Sequence, residues 1–410
     1  MLTPATLRSL LSDSGRQALE EAQAAEPRAE DLLPLAQRLE RRFPAALARA
    51  AAGQAILRRK ARDKFPEADR MFFITEALEQ ATARPIAEYR AGRLAHLAPI
   101  FDLTCGLGGD ALALSRVAPV IASDLDHLRL LLLAANASAI GMSRRVTPVQ
   151  ADARQPPYRR LPGAGAFFDP GRRPSGRRAH SVHDYEPPLG LALDWAGRVQ
   201  GLAAKISPAV DLAEVAGYDC EIEFIALGGE LREAVLWFGS LKDGRRRATV
   251  LPGPHSLVGE IEPEIDLADP RAYLYEPSPA VMRAGLVRTL AAQLGACMLD
   301  RKIAFLVSDR LQAGPFARAY EVVEAMPFQL KRLRERLRSL GIGPLTVKKR
   351  GSAIAPEDLI HDLGLRGERP GTVVLTQVRG KPYALIVNPI EPGQSLDSAS
   401  PLEARPLVSS

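Results

Sequence analysis

One stretch, residues 99–114, constrains the fold of this chain more than any other. It runs Pro99-Ile-Phe-Asp-Leu-Thr-Cys-Gly-Leu-Gly-Gly-Asp-Ala-Leu-Ala-Leu114. Its first six residues predict a buried strand, the glycines Gly106, Gly108 and Gly109 predict a turn, and an amphipathic helix is predicted over 110–115. Backbone N–H groups in a turn without side chains can approach a ligand closely. This order of elements is typical of the opening of a nucleotide-binding βαβ unit.

An acidic residue, Asp124, lies at the end of a second predicted strand, 119–123, eighteen positions after Gly106. A carboxylate at this place can accept hydrogen bonds from both ribose hydroxyls of a bound cofactor. A tight turn that binds nothing is the alternative, and the strand context together with Asp124 favours a binding site. The glycine spacing does not by itself distinguish one adenosine-containing cofactor from another.

Two more acidic residues follow predicted strands in the same way. Asp152 comes just past a strand at 145–149, where its carboxylate is placed to accept a hydrogen bond from an adenine amino group. Asp169 ends the next predicted strand, 165–169, and is followed directly by Pro170. Because the carboxyl ends of parallel strands meet at one edge of a sheet, these residues are expected to lie near Asp124.

The series Asp102…Gly106-x-Gly108, Asp124, Asp152 and Asp169-Pro170 resembles the class I S-adenosylmethionine-dependent methyltransferases. The wider chain is similar to a bacterial family of these enzymes that carries a THUMP-like C-terminal domain. The segments that carry this second resemblance are Met71-Phe-Phe-Ile-Thr75, Leu78-Glu-Gln-Ala81, Phe168-Asp-Pro-Gly-Arg-Arg173, Glu230-Leu-Arg-Glu-Ala-Val-Leu-Trp-Phe238, Tyr273-Leu-Tyr-Glu-Pro277 and Val347-Lys-Lys-Arg-Gly351.

The resemblance implies an α/β fold with a Rossmann-like, seven-stranded methyltransferase sheet, an N-terminal helical domain and a C-terminal α+β THUMP-like domain. It also implies S-adenosylmethionine as the cofactor. The cofactor-binding residues that it implies are Asp102, Thr104, Gly106, Gly108, Asp124, Leu125, Asp152 and Ala153. The catalytic residues that it implies are Asp169, Pro170 and Arg172.

The order of predicted elements agrees with this fold. Two strands, 221–227 and 230–238, are separated only by Gly228-Gly229, which predicts a hairpin. A hairpin after a parallel sheet favours a methyltransferase over a dinucleotide dehydrogenase, which would usually continue with further βα units. The predicted domains are a helical domain (1–97), the methyltransferase domain (98–257), the THUMP-like domain (258–390) and a disordered tail (391–410).

Basic residues recur along the chain, which has a net charge of +6 and a pI near 9.3. The loop after Asp169, residues 170–188, holds four arginines and is expected to form a substrate lip. Its arginines Arg172, Arg173, Arg177 and Arg178 are candidates to clamp phosphates. Other basic clusters lie at 58–64, 330–338 and 347–351. Each cluster is either a solvated surface or a phosphate-contacting one.

Several function classes are disfavoured. The three cysteines, Cys105, Cys220 and Cys297, are far apart and predict no disulfide framework, and Cys105 is expected to be a small buried residue. His180 and His183 have no accompanying ligands, so no metal site is expected. No apolar run is long enough to span a bilayer and no signal peptide is evident, so a cytoplasmic location is expected.

The predicted function is that of an S-adenosylmethionine-dependent methyltransferase that modifies a base in tRNA or rRNA, because THUMP domains are associated with RNA modification. The motif Asp169-Pro170-Gly171-Arg172 departs from the (Asn/Asp)-Pro-Pro-aromatic motif of amino-methylating relatives, so the methylated atom is not specified. The alternatives are a small-molecule methyltransferase, an RNA-binding protein with a non-catalytic cofactor pocket, and a dehydrogenase.

Overall fold

The computed structural model describes residues 2–155, 160–171, 181–260 and 263–391. The chain divides into two compact units, one of residues up to Glu223 with Arg232–Arg245, and one of Phe224–Leu231 with the residues from Arg246 onward. Several predictions fall outside the described residues, namely those on Arg172, Arg173, Arg177, Arg178, His180 and the tail from residue 392.

The N-terminal part of the first unit is helical, as predicted. Its helices are α1 (Pro4–Leu11), α2 (Asp13–Gln23), α3 (Leu32–Leu39), α4 (Ala45–Ala61), α5 (Thr75–Gln80) and α6 (Arg84–Leu94). Leucine and alanine side chains form most of the core between the first four of them. Phe72 joins this core together with Leu132 and Ala135, so the segment 71–75 packs against α8 (His127–Ala139). The described helices include none that is both long and apolar enough to cross a membrane.

The basic run 58–64 is bonded within this unit. Arg58 Nε donates to the carbonyl oxygen of Met71 at 2.7 Å, and Arg62 makes ion pairs with Glu26 and Asp69 at 2.8 and 2.9 Å. Lys64 Nζ donates to three main-chain carbonyl oxygens at the end of α5, those of Leu78, Glu79 and Ala81. These bonds engage Arg58, Arg62 and Lys64 within the unit, although the side chain of Arg62 remains 42% exposed. They weaken the case for a phosphate-contacting surface here.

The sheet of the first unit begins with parallel strands, most of them connected through helices, and ends with a hairpin, as predicted. Its strands and their helices are β1 (Ile100–Asp102), α7 (Gly109–Leu114), β2 (Val120–Asp124), α8 (His127–Ala139), β3 (Val146–Gln150), β4 (Leu161–Phe168), α9 (Leu191–Ala196), β5 (Val199–Ile206), β6 (Glu221–Leu227) and β7 (Glu230–Gly239). Strands β1–β5 are parallel, β7 is antiparallel to β5, and the order is β3-β2-β1-β4-β5-β7-β6. The methyltransferase fold class is confirmed.

The Gly-Gly turn between β6 and β7 is also as predicted. Gly228 and Gly229 have φ values of +61° and +85°, a pair of left-handed conformations that suits a two-residue hairpin turn. The division between the units runs through this hairpin, since residues 224–231 belong to the second unit. In the strand order of the sheet, β8 (Arg246–Leu251) comes next to β6, and β9 (His255–Gly259) comes next to β8. These are two strands beyond the seven predicted.

The second unit is an α+β domain, as predicted. Its further elements are β10 (Tyr273–Pro277), α10 (Pro279–Ala284), α11 (Val287–Gln293), β11 (Cys297–Asp300), β12 (Ile303–Ser308), β13 (Ala317–Pro327), α12 (Leu330–Ser339), β14 (Ile342–Lys349), α13 (Pro356–Leu363), β15 (Arg369–Val378) and β16 (Lys381–Pro389). The strand order is β11-β12-β10-β13-β16-β15-β14. Helices α12 and α13 pack on this sheet through buried leucines, for example Leu333 and Leu359. The predicted boundaries of the four domains remain a prediction.

Candidate active site

The glycine turn after β1 is bonded directly to the carboxylate at the end of β2. The N–H of Gly106 donates to Asp124 Oδ2 at 3.0 Å, and Asp124 Oδ1 accepts from the N–H of Asp126 at 2.9 Å. Strands β1 and β2 are neighbours in the sheet, so a separation of eighteen residues in the sequence becomes one hydrogen bond. The turn and Asp124 therefore form one preorganised unit.

Two positions in the turn, 106 and 108, require glycine for different structural reasons. Gly106 and Gly108 have φ values of +55° and +94°, which L side chains rarely adopt. A Cβ at Gly108 would lie 2.3 Å from Leu133 Cδ1, so this glycine lets α8 pack under the turn. A Cβ at Gly106 would meet no atom of the described residues within 4 Å, which leaves the space that a ligand contacting the backbone requires.

Asp102, at the end of β1, is a buried carboxyl group with an unused acceptor. The residue is 1% exposed, and its Oδ1 accepts a hydrogen bond from the N–H of Thr104 at 3.3 Å. Its Oδ2 has no hydrogen-bond partner among the described residues. Burial, and next the nearby charge of Asp110, raise the pKa of Asp102 well above its usual range. A ligand that brings a cationic donor fits such a group.

Three of the predicted cofactor-binding residues, Leu125, Asp152 and Ala153, combine apolar and polar groups. Leu125 is 56% exposed directly after Asp124. The guanidinium of Arg154 binds the carboxylate of Asp152, and this hydrogen bond lowers the pKa of Asp152. Ala153 is buried, and its carbonyl oxygen accepts a hydrogen bond from the indole N–H of Trp195 at 2.9 Å. Sequence reasoning missed Arg154 and Trp195, which hold this segment in place.

Asp169 is fixed through both its main chain and its side chain. The hydroxyl of Thr104 donates to the carbonyl oxygen of Asp169 at 2.9 Å and accepts from its N–H at 3.1 Å. The Asp169 carboxylate accepts from Lys205 Nζ, which lies 2.6 Å from Oδ2. Thr104 therefore joins the end of β1 to the residue after β4, while Pro170 beside it is buried. The hydroxyl of Thr104, a predicted cofactor-binding residue, is engaged in these two bonds.

Lys205 was missed by the sequence reasoning, although its position carries a signal. It is a charged residue within the apolar strand Gly-Leu-Ala-Ala-Lys-Ile, at a place where a buried side chain is expected. The structure places it on β5, 4% exposed. A lysine buried at such a place needs a partner of opposite charge, because desolvating an unpaired ammonium is costly.

The two ends of the loop after Asp169 are joined by backbone hydrogen bonds. The backbone groups of Gly171 and Glu186 exchange two hydrogen bonds, with N···O distances of 2.8 and 3.0 Å. A short 3-10 helix, Val182–Asp184, lies in the described part of the loop, where no regular element was predicted. The two ends of the loop therefore lie close together beside Asp169.

Cys105 follows Thr104 but is unsuited to act as a nucleophile. The thiol is buried, and burial, then the charge of Asp102, raise the pKa of Cys105 well above its usual range. A thiol held protonated is a poor nucleophile. In the described residues, no group of three His, Cys, Asp or Glu side chains could hold a metal ion.

Comparisons with known proteins identify relatives of most of the chain. Two curated relatives from Mycobacterium tuberculosis, strains CDC 1551 / Oshkosh and H37Rv, are uncharacterized S-adenosylmethionine-dependent methyltransferases. Each is 39% identical to this chain over 336 residues, which cover 79% of this chain and 91% of the relative. A solved structure from Porphyromonas gingivalis W83, described as a methyltransferase, covers 89% of this chain and all of its own at 20% identity, with a TM-score of 0.71. This likeness shows the shared fold.

Two family models match parts of the chain. One, described as THUMP domain-like, matches residues 317–389, and the other, a domain of unknown function, matches residues 3–61. The first lies within the α+β domain of the second unit. On the identity and coverage of its curated relatives, the chain belongs to the S-adenosylmethionine-dependent methyltransferases, with a THUMP-like domain towards its C-terminus.

Proposed function

We propose that this methyltransferase acts on RNA, methylating a base of tRNA or rRNA in the cytoplasm. S-adenosylmethionine would supply a methyl group carried on a sulfonium sulfur. A lone pair of the target atom would attack the methyl carbon while the C–S bond breaks, and S-adenosylhomocysteine would leave as a neutral thioether. Such a displacement needs few acids or bases from the protein. Positioning of the two reactants can supply about 7–11 kcal/mol of the barrier reduction in the best cases.

The cofactor-binding roles that we propose follow from the groups left available in the site. Asp124 accepts from the ribose hydroxyls, and Asp152 accepts from the adenine amino group, while Leu125 and Ala153 contact the adenine ring. Asp102 Oδ2 offers an acceptor to the ammonium of the methionine part, since this oxygen otherwise lacks a donor. The remaining members of the proposed cofactor site are Thr104, Gly106 and Gly108.

Asp169 is the residue that we propose to orient the target base. Its main chain is bound by Thr104 and its Oδ2 by Lys205, while Oδ1 has no donor among the described residues. The side chain is 25% exposed, so Oδ1 is available to accept a hydrogen bond from the target. Pro170 stiffens the backbone beside it. Arg172 remains a proposed catalytic residue on the resemblance alone.

The observation that carries the RNA proposal is the exposed face of α12 within the THUMP-like region. Leu333 and Leu337 face the core, while Lys331, Arg332 and Arg338 are exposed together with one acid, Glu335. Arg338 also donates to the carbonyl oxygen of Gly364, so Lys331 and Arg332 are the cations on which the proposal depends. Cations spaced along one helix face are suited to phosphate contacts. The other basic cluster, 347–351, contributes less, because Lys348 is bound to Glu276 at 2.6 Å. Of its cations, Lys349 is exposed.

The test is methyl transfer from labelled S-adenosylmethionine to total RNA from a strain that lacks this protein, followed by nucleoside analysis. We expect label in one modified nucleoside that is absent from the strain. Label in a small-molecule fraction alone would identify a small-molecule methyltransferase instead. Salt-dependent RNA binding without transfer under any condition would identify a non-catalytic RNA-binding protein.

The exposed cations of the second unit should determine the salt dependence of RNA binding. We expect the variant Lys331→Gln/Arg332→Gln/Lys349→Gln to reduce the slope of log affinity against log salt by about two, since each phosphate contact to single-stranded RNA contributes about 0.7. Fluorescence anisotropy with total tRNA measures this slope. The matched control is Arg8→Gln/Arg38→Gln/Arg41→Gln, which removes three exposed cations from the first unit. Equal slopes for the two triple variants would contradict the proposed surface.

Replacing Asp102 by asparagine should stabilise the cofactor-free protein and weaken cofactor binding. The pKa of Asp102 is raised on folding, so ionisation of this group costs stability above its unfolded pKa. The amide of Asp102→Asn avoids that cost, and the gain in melting temperature should vanish at acidic pH, where the carboxyl is protonated in both states. S-adenosylmethionine affinity should fall, because the amide would direct an N–H towards the ammonium.

The control for this prediction is Asp300→Asn. Asp300 is also buried, but both of its oxygens accept backbone hydrogen bonds, from Lys302 and Gly380. We expect this variant to lose stability at neutral pH, which is the opposite sign. Melting curves over a range of pH and calorimetric titration with S-adenosylmethionine measure both effects. A lower melting temperature for Asp102→Asn than for the parent at neutral pH would contradict the interpretation that ionisation of the buried Asp102 carboxyl, whose Oδ2 accepts no hydrogen bond from the described residues, costs stability.

A further inference from the structure

A single buried hydroxyl joins several charged groups beneath Asp169. Thr82, between α5 and α6, is 7% exposed. Its hydroxyl accepts from Lys205 Nζ at 3.0 Å and from Arg90 Nη2 at 3.2 Å, and it donates to Asp110 Oδ2 at 3.3 Å. A hydroxyl has one hydrogen to donate and two lone pairs, so every bond that Thr82 can make is used.

The bonds of Thr82 belong to a wider buried ion network in the first unit. Arg90 on α6 binds Asp110 on α7, and its Nε lies 3.3 Å from Glu233 Oε1 on β7. Its guanidinium also stacks over the ring of Phe167, 4.5 Å from the centroid. Through Thr82, this network reaches Lys205 on β5. The ammonium of Lys205 is therefore held from one side by a fixed hydroxyl and from the other by the carboxylate of Asp169.

Neutralising the charge of Asp169 does not by itself explain why Lys205 is buried. The Asp169 side chain is 25% exposed and could be solvated by water, whereas the Lys205 side chain is only 5% exposed. Burying an ammonium costs free energy that a well-packed apolar residue would avoid, and the neighbours of Lys205 on β5 are apolar. An ion pair with this cost is favoured where a defined side-chain geometry is required.

We infer that Lys205, held by Thr82, is a positioning residue that fixes the Asp169 carboxylate for methyl transfer. With Oδ2 bound to Lys205 and the main chain bound to Thr104, the side-chain rotation of Asp169 is restricted, and Oδ1 is the oxygen left to meet the target. The inference rests on the proposed role of Asp169. It assigns a function in the active site to Thr82, a residue of the helical part of the chain.

The test uses variants that remove single groups from this arrangement. Lys205→Met removes the ammonium and keeps the chain length, Thr82→Val removes only the hydroxyl, and Thr82→Ser keeps it. We expect the first two to lower kcat by about 100-fold, the effect of a misplacement of about 1 Å, with little change in the KM for S-adenosylmethionine. Thr82→Ser should restore most of the activity. Total RNA from the deletion strain is the methyl acceptor.

A matched control and a double-mutant cycle separate positioning from loss of folding. Thr376→Val removes another buried threonine hydroxyl, one that has no hydrogen-bond partner in the described part of the chain, and should leave kcat unchanged. If Lys205 acts through Asp169, then Lys205→Met should have almost no further effect on kcat in an Asp169→Asn background. Independent effects of the two substitutions, or equal kcat for Thr82→Val and the parent, would overturn the inference.

Measurements that need no methyl acceptor test the role of Lys205 independently of the proposed function. Absence of transfer to RNA by the parent protein would contradict the proposed function only. The denaturation midpoints of Lys205→Met, Asp169→Asn and the double variant test the pair itself, and we expect the double variant to be less destabilised than the sum of the single ones. Additive midpoints, or an unmoved Asp169 side chain in a crystal structure of Lys205→Met, would overturn the inference even then.

Discussion

Replacing Asp124 by alanine is expected to weaken the binding of S-adenosylmethionine by roughly 100-fold or more. Two hydrogen bonds from ribose hydroxyls to a carboxylate contribute about 1.5 kcal/mol each at the lower end, and about 3 kcal/mol corresponds to roughly 100-fold in affinity. The substitution also removes the acceptor of the Gly106 N–H and so releases the turn that the cofactor contacts. Both effects act in the same direction.

Calorimetric titration with S-adenosylmethionine measures this loss. Asp124→Asn is expected to bind with intermediate affinity, because one acceptor oxygen remains while the charge is lost. The control is Asp126→Ala, which removes a carboxylate two residues away that caps α8 through the N–H of Leu128. That variant should lose about 1 kcal/mol of stability and retain its affinity. An unchanged affinity of Asp124→Ala would contradict the proposed ribose contact.

The elements that the sequence predicted well are those with a local signal. The glycine turn and the Gly228-Gly229 hairpin need backbone conformations that few other residues adopt, so their positions can be read directly. The strand Glu221–Leu227 has the bounds that its apolar run and the following Gly-Gly turn predict. In contrast, the segment Tyr273–Pro277, which forms β10, carries only the family resemblance in the sequence, and β8 and β9 were missed.

The contacts that the sequence did not predict join residues far apart in the chain. Lys205 and Thr82 are 123 positions apart, and nothing local to either residue indicates the other. The basic run 58–64 was equally ambiguous, because the sequence displays its charges but not the carboxylates and carbonyl groups that bind them. Periodicity and spacing predict elements and turns, whereas the partners of buried charges depend on how those elements pack.

The second large effect is expected for Asp169→Ala, which should bind S-adenosylmethionine as the parent does and lose methyl transfer. The Asp169 carboxylate lies after β4 and accepts a hydrogen bond from Lys205. Among the described residues, Asp169 contacts the proposed cofactor-binding residues through hydrogen bonds of its main chain to Thr104. Those main-chain bonds survive in the alanine variant, so the cofactor site should remain intact. The substitution removes the acceptor for the target base and the carboxylate partner of Lys205, whose ammonium still donates to the hydroxyl of Thr82.

Paired measurements of cofactor affinity and of transfer to RNA give the decisive comparison. A loss of at least about 100-fold in kcat with unchanged affinity is expected, since a target base without its acceptor is no longer held in line with the methyl group. Asp194→Ala, which removes an exposed carboxylate from α9, is the control and should keep both values. Equal transfer rates for Asp169→Ala and the parent would remove Asp169 from the reaction. A loss of cofactor affinity as large as the loss of kcat would instead identify Asp169 as a cofactor ligand. Cofactor binding would then depend on the Asp169 carboxylate even in the absence of the target.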